Sequence, residues 1–165
     1  MKIEKEIDYP GITEELKSMA LADQEMRTKA EKNDDEWDDS LDVENTQKLK
    51  EIVKEIGWPR ISVVGQEASH SAWLLVQHAD KDVAFQEECL ALMEALPEGE
   101  VSKHDIAYLI DRIRRNKNLP QVYGTQFIQD ASGQYISAPI EGLDERRKEM
   151  GLDTLEENTK RINER

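Results

Sequence analysis

Apolar residues recur every three to four positions through most of the chain, which is the spacing of amphipathic α-helices. Thr13 is a candidate N-cap for a first helix that reaches about Lys32. A second predicted helix follows Asp42, its candidate cap, and ends at Gly57–Pro59. A third begins near Gln66. We expect the apolar faces of these helices to pack together in one core.

The same period predicts two more helices in the second half of the chain. One covers about residues 82–96. The next begins after Ser102, where Asp105 has the spacing of a capping box and Val101 and Ile106 have that of a hydrophobic staple. Its sequence start is the clearest of the five.

After Pro120 the helical period gives way to a pattern that is typical of short strands. QVYGTQFIQ and QYISAPI flank a turn sequence at Asp130–Gly133. A short helix over Asp144–Met150 is predicted beyond them. The expected fold class is therefore mainly α, a helical bundle of about five main helices with a small late β-hairpin.

A chain of 165 residues is long enough for one domain with a substantial core. The polar first residues predict a flexible N-terminus over 1–12. A single mostly helical domain is expected over 13–155, followed by a polar C-terminal tail over 156–165.

The net charge is −14 and the isoelectric point is about 4.7. A field of this sign repels phosphate backbones and anionic lipids, so neither nucleic-acid nor membrane-surface binding is expected. The single cysteine, Cys89, excludes a disulfide framework and a cysteine-based zinc site. No stretch approaches the roughly 20 apolar residues of a membrane helix and no signal region opens the chain, so we expect a cytoplasmic protein. Nothing in the sequence indicates a cofactor.

Six of the nine residues from Asp34 to Asp42 are acidic and none is basic. Such a segment is usually a solvated loop. It lacks the glycine and the terminal glutamate of a calcium-binding EF-hand loop, although a cation could still bind there. With Trp37 at its centre, the segment is also a candidate surface for a basic protein partner.

AWLLVQHAD places His78 at the end of the third predicted helix. The helix terminus favours the imidazolium and burial opposes it, a balance that suits general acid–base catalysis. The alternative is a structural histidine that bonds the last helix carbonyls. Asp80 is either a second catalytic group or the cap of helix four. A metal pair of His78 and Asp80 is a weaker interpretation, because neither His70 nor His104 shares their face.

Further polar positions could complete a cleft. Tyr108 and Arg112 lie on one stripe of helix five, beside its apolar face. QVYGTQ is dense in hydrogen-bonding groups around Gly124, which allows close backbone approach. DERR offers two arginines, which can hold a carboxylate or phosphate, or can pair with the protein itself.

Read together, the segments GWP, VG, WLLVQHAD, AYL-x-DR, Q-x-YGTQ, PIE, D-x-RR and GL resemble a bacterial family, domain of unknown function 6624, over about Asp42 to Leu155. The resemblance brings no established activity. It implies a polar signature drawn from four separate segments. Its matching positions here are Gln77, His78, Asp80, Asp111, Arg112, Tyr123, Gly124, Thr125, Gln126, Arg146 and Arg147. Such a signature is typical of a polar cleft, and the alternative is a buried hydrogen-bond network that specifies the fold.

The leading hypothesis is a hydrolase or group-transfer enzyme that acts on a small polar molecule or peptide. In it His78, with Asp80, supplies acid–base catalysis. The substrate-binding residues would be Gln77, Tyr108, Arg112, Tyr123, Thr125, Gln126, Arg146 and Arg147. The alternatives are an acidic interaction protein of the immunity or inhibitor type that binds a basic protein, and a non-catalytic small-ligand binder.

Overall fold

The computed structural model describes residues 7–129, 135–136 and 138–164. A mainly helical fold is confirmed, and eight α-helices are found in these ranges. They are α1 Tyr9–Lys32, α2 Asp39–Ile56, α3 Ile61–Val64, α4 Gln66–Gln77, α5 Val83–Glu94, α6 Lys103–Asn116, α7 Leu143–Glu149 and α8 Leu155–Asn163. Five of the eight have 12 residues or more. A single 3₁₀ turn, Asp34–Glu36, joins α1 to the α2 region.

Helix α4 lies at the centre of the bundle and contacts α1, α2, α3, α5 and α6. Ala68 and Ala72 are almost completely buried, and such small side chains let neighbouring helices approach closely. Leu16 of α1, Leu49 of α2 and Leu109 of α6 fill the core around α4. Helix α4 is therefore held between α1 on one side of the sequence and α5 and α6 on the other.

Two predicted helix starts were wrong. Asp8 caps α1 by accepting from the Gly11 N–H at 3.0 Å, and the Thr13 hydroxyl instead donates to a carbonyl one turn back. Asp38 caps α2 by accepting from the Ser40 N–H at 2.9 Å, which makes Asp42 a residue of the first turn. Because α2 starts earlier than expected, Asp42 is left free to contact another helix.

The N-cap of α5 is also not the predicted residue, because one of the two roles expected of Asp80 was to cap this helix. Asp82 accepts from the Phe85 N–H at 3.0 Å and is the N-cap. Ser102 is the N-cap of α6, but its side chain makes no capping bond. Asp105 does not close a capping box, because it bonds His70 instead.

The predicted hairpin is not seen as an extended pair of strands. Residues 121–127 form a loop, in which the backbone N–H groups of Val122, Tyr123, Thr125 and Gln126 donate to side chains. Two short segments, Ile128–Gln129 and Tyr135–Ile136, pair antiparallel with Ile128 opposite Ile136. The turn predicted at Asp130–Gly133 lies outside the described residues.

The C-terminal segment that was predicted to be a polar tail contains α8. Thr154 and Glu157 form a complete capping box at its start, in which each side chain bonds the other residue's backbone N–H. Within the described ranges, no helix is both long enough and apolar enough to cross a membrane.

Candidate functional site

His78 follows the last residue of α4, and its ring meets a carboxylate from α1. His78 Nδ1 lies 2.9 Å from Oδ2 and 3.0 Å from Oδ1 of Asp23. The Asp23 side chain is buried and that of His78 is 17% exposed. Because an ionised carboxylate can only accept, Nδ1 is the nitrogen that donates to Asp23, and in the neutral ring this tautomer leaves the lone pair on Nε2. The pair is a carboxylate-oriented imidazole, as found in many acid–base sites.

Arg27, one turn after Asp23 on α1, connects this pair to α2. Its Nε lies 3.2 Å from Asp23 Oδ1, and its Nη2 donates to Asp42 Oδ1 at 2.7 Å. Nε also lies 3.0 Å from His78 Nδ1, but a protonated Nδ1 has no lone pair, so the bond goes to Asp23. The guanidinium stacks 4.9 Å from the centre of the Trp37 ring. Arg27 is therefore fixed on three sides.

Asp80 lies two residues after His78 and binds α6. Arg112 holds it bidentately, with Nε 2.9 Å from Oδ1 and Nη2 2.6 Å from Oδ2. Asn116 Nδ2 donates to Oδ1 at 2.7 Å, and Arg115 lies 3.7 Å from Oδ2. With these partners, Asp80 is an ion-pairing anchor between the α4–α5 turn and α6.

A cleft of about 410 Å³ opens between these groups. Its walls come from the end of α1, the start of α2, the turn at 78–82 and the middle of α6. His78 lies on its surface between Arg27 and Arg112, and Trp37 and Val43 supply apolar surface. The size and the mixture of apolar and polar groups are those of a small-molecule site.

Two carboxyl groups at this cleft are shifted in opposite directions. Burial raises the pKa of Asp42, and the charge and hydrogen bond of Arg27 offset only part of that rise. Burial also acts to raise the pKa of Asp80, but the hydrogen bonds and charge of Arg112 outweigh it and bring the pKa to about 2. Asp42 is thus the easier of the two to protonate, and Asp80 stays ionised.

Asp23 stays ionised behind the imidazole. Burial is the largest influence and opposes its ionisation, but the hydrogen bond and charge of His78, with Gln24 and Arg27, lower its pKa overall. An ionised Asp23 maintains the Nδ1–H tautomer of His78. The arrangement leaves Nε2 as the proton-accepting atom of the dyad.

QVYGTQ is folded around a buried carboxylate, Asp111 of α6. Asp111 Oδ1 accepts from the backbone N–H groups of Val122 and Tyr123, at 2.8 and 3.1 Å. Asp111 Oδ2 accepts from the N–H and the hydroxyl of Thr125, at 2.9 and 2.8 Å. Gly124 has φ +65°, a conformation that favours glycine. Thr125 and the Tyr123 backbone therefore hold the loop to α6.

Gln126 connects this loop to the cleft. Gln121 Nε2 donates to the Gln126 carbonyl at 2.7 Å, and the Gln126 N–H donates back to Gln121 Oε1 at 2.9 Å. Gln126 Oε1 then accepts from Arg112 Nη1 at 3.1 Å. Arg112 is consequently oriented from both sides, by Asp80 and by Gln126.

The two arginines of DERR bond the protein's own backbone. Arg146 donates to the carbonyls of Val122 and Glu141, at 2.9 and 2.8 Å. Arg147 is 1% exposed, and it donates to the Tyr123 carbonyl at 2.8 Å and to the Asp153 carbonyl at 2.6 Å. These contacts tie α7 to the QVYGTQ loop and do not bring either guanidinium to the cleft.

Gln77 and Tyr108 also lie away from the cleft lining. Gln77 is buried, and its Oε1 has no hydrogen-bond partner among the described residues. Tyr108 packs edge-on against Trp73, with ring centres 5.9 Å apart, and lines a separate cavity that includes Thr125. Of the predicted site residues, His78, Asp80 and Arg112 therefore line this cleft and Gln126 contacts Arg112, whereas the others do not line it.

The most important residues that sequence reasoning missed are Asp23, Arg27 and Asp42. Asp42 is predicted from the sequence as a helix cap and as the last residue of the acidic segment, and not as a residue of this site. A signal for Asp23 exists in the sequence, because it continues the apolar stripe of Leu16 and Met19 at helical spacing. An aspartate at a core-facing position needs a buried partner, and here that partner is His78.

The acidic segment has local roles in the described residues. Asp38 caps α2, and Asp39 accepts from Trp37 Nε1 at 3.0 Å and pairs with Lys81 at 3.5 Å. Across the part of the chain that the structure describes, no group of three or more potential metal ligands was found.

The family model of DUF6624, a family of unknown function, matches residues 10–165, and the chain belongs to that family. The match extends beyond the range over which the resemblance was apparent, so α1 with Asp23 and Arg27 lies inside the family's domain. No curated protein matches the chain, and no solved structure does.

Proposed function

We propose that this member of the DUF6624 family is an enzyme that hydrolyses or transfers a group on a small polar molecule or peptide. The observation that carries the proposal is the Asp23–His78 pair at 2.9 Å, which lies at the surface of a cleft of about 410 Å³. We also propose a cytoplasmic location, as expected for a chain with one cysteine.

His78 Nε2 acts as general base in this proposal. It takes a proton from a water molecule or a second substrate, whose oxygen then attacks the reacting centre, and the imidazolium returns the proton to the leaving group. Asp23 stabilises the imidazolium and keeps the ring oriented. Cys89 does not serve as a nucleophile, because it is buried and burial raises the pKa of its thiol.

Two features favour catalysis over simple ligand binding. Burying a carboxylate to fix an imidazole in one tautomer costs desolvation energy, and a pocket that only binds a ligand does not need a fixed tautomer. Burial raises the pKa of Asp42, which gives the same cleft a carboxyl group that is easier to protonate than an ordinary aspartate. A non-catalytic binder that uses this cleft is the second candidate.

The direct test compares His78→Gln with His70→Gln. His70 is a matched control, because it lies on α4, the helix that His78 follows, and its Nδ1 is 3.2 Å from a buried carboxylate, Asp105. Wild type and both variants would be incubated with pooled peptides, esters and amides, and the products would be followed by mass spectrometry. We expect product formation to fall at least about 100-fold in His78→Gln and to persist in His70→Gln.

Unfolding of each variant by urea would confirm that a lost activity is not a lost fold. Product formation that survives His78→Gln would exclude the proposed base. Ligand binding in the cleft without any turnover would favour the non-catalytic candidate.

A further inference from the structure

We propose that the cleft accepts substrates whose bound part is uncharged or cationic and excludes phosphates and carboxylates. The inference rests on the proposed function, because it takes the cleft as the substrate site. It comes from the pairing of every cationic side chain that lines the cleft with a carboxylate that also lines it.

Arg112 is the cation that would be expected to hold an anion, and each of its three side-chain nitrogens already donates to an acceptor of the protein. Nε and Nη2 bind both oxygens of Asp80, and Nη1 donates to Gln126 Oε1. An anionic substrate would have to displace Asp80, which is held further by Asn116 at 2.7 Å. A bidentate pair of this geometry is among the strongest polar contacts in proteins.

Arg27 is also paired with carboxylates of the protein. Its Nη2 binds Asp42 and its Nε binds Asp23, while its face lies against Trp37. Moving it to meet a substrate anion would leave Asp23 without one of its partners in a buried position. That loss is costly, because a hydrogen bond between a buried carboxylate and a charged donor contributes more than an ordinary hydrogen bond.

The two lysines at the cleft are paired as well. Lys50 Nζ lies 2.5 Å from Asp82 Oδ2, and Lys81 Nζ lies 3.5 Å from Asp39 Oδ1. The second pair is exposed and therefore weak, but it still places a carboxylate beside the cation.

The cleft lining consequently carries four cations and four carboxylates, and a fifth carboxylate, Asp23, lies behind His78. The whole chain carries −14, so the surrounding field also disfavours anions. The remaining lining offers apolar surface from Trp37, Val43 and Ala79. An uncharged carbonyl group, such as an ester or amide beside an apolar or cationic substituent, fits these properties.

The test is a binding experiment that does not depend on turnover. Three probes share one side chain and differ in charge: N-acetyl-phenylalanine amide is neutral, phenylalanine amide is cationic and N-acetyl-phenylalanine is anionic. Binding would be measured by NMR from the shift of the His78 imidazole signals, assigned with His78→Gln. We expect the neutral and cationic probes to bind at least about tenfold more tightly than the anion, a ratio that one unfavourable charge contact readily supplies.

Two variants should reduce or abolish the selectivity. Asp80→Asn leaves Arg112 without its counter-ion, and Asp82→Asn releases Lys50 while asparagine still caps α5. We expect each to improve binding of the anionic probe by about tenfold. The second variant is retained in case Asp80→Asn fails to fold.

Equal binding of the anionic probe by wild type, binding of none of the three probes, or no gain by a folded variant would each overturn the inference. Charge selectivity without any His78-dependent turnover would support the inference and exclude the proposed catalysis. Turnover that depends on His78 but prefers anionic substrates would do the reverse.

Discussion

Replacing Asp111 with asparagine tests how the QVYGTQ loop is held to α6. The wild-type carboxylate is completely buried and accepts four hydrogen bonds, two on each oxygen, at 2.8 to 3.1 Å. In Asp111→Asn one oxygen can still serve Val122 and Tyr123, but the amide NH₂ then faces the Thr125 N–H. Two donors meet at that point, and the buried Thr125 N–H loses its partner.

The magnitude follows from that lost contact. A bond to a charged group contributes about 1.5–3 kcal/mol, and an unsatisfied buried donor costs about 1–3 kcal/mol. The Thr125 hydroxyl can rotate to accept from the new NH₂, which recovers part of the loss. We therefore expect the free energy of unfolding to fall by about 2–3 kcal/mol, out of a total that is typically about 5–15 kcal/mol.

Urea unfolding monitored by circular dichroism measures this change. With an m-value of about 2 kcal/mol/M, the midpoint should fall by about 1 M. Asp144→Asn is the matched control, because Asp144 also accepts a backbone N–H, from Leu155 at 3.0 Å, but in an exposed position. That control should change the stability by less than about 0.5 kcal/mol. A loss in Asp111→Asn as small as in the control would refute the argument that this carboxylate organises the loop.

Three further predictions concern the same network. In ¹⁵N NMR spectra at neutral pH, neutral His78 should have its proton on Nδ1, and a proton on Nε2 would contradict the Asp23 contact. The pKa of Asp80 is lowered from 3.8 to about 2, so its contribution to stability is complete above about pH 4 and is lost as the pH falls through about 2. After allowance for solvent screening, this contribution amounts to about 1 kcal/mol. Asp80→Asn should remove that part of the acid unfolding profile. Arg147→Lys should lower the free energy of unfolding by about 2–3 kcal/mol in urea titrations, because a lysine cannot reach both the Tyr123 and the Asp153 carbonyls, and a change below about 0.5 kcal/mol would contradict the role of the guanidinium.

The helices were largely predictable from the sequence because their apolar faces follow the helical period. The first residues of the helices were harder to predict, because two acidic residues compete for the N-cap of α2 and two for that of α5. Asp38 and Asp42 are both good caps by type, and the choice depends on Arg27, which binds Asp42 from another helix. Asp80 and Asp82 compete at α5 in the same way, and Arg112 determines the outcome.

The loop at 121–127 shows a different limit of sequence reasoning. Its residues have reasonable strand propensity, but a strand needs a partner for its N–H groups. Asp111 offers these groups a buried carboxylate, 11 to 14 positions earlier in the chain. A tertiary contact of this kind overrides local strand propensity, and no periodicity in the segment predicts it.

The position of His78 at the C-terminal end of α4 was predictable from the sequence, whereas its partner Asp23 was not. Asp23 is 55 residues away, and only the packing of α1 on α4 brings the two side chains together. The aspartate within an apolar stripe is a signal of a buried polar contact, but it does not name the partner.

The polar signature of the family divides into two groups in the structure. Asp111, Thr125, Arg146 and Arg147 bond the backbone or one another and fix the loop and α7. His78, Asp80 and Arg112 line the cleft. A polar cleft and a buried network are therefore not alternatives in this protein.

Gln126 joins the two groups, because its backbone is held by Gln121 and its side chain accepts from Arg112. Arg112 in turn holds Asp80, two residues beyond His78. A substitution that loosens the loop should therefore disturb the cleft even where the substituted residue does not line it. The reason is that the orientation of Arg112 depends on Gln126, whose position the loop determines. The network therefore supports a cleft wall, although most of its residues do not reach the cleft themselves.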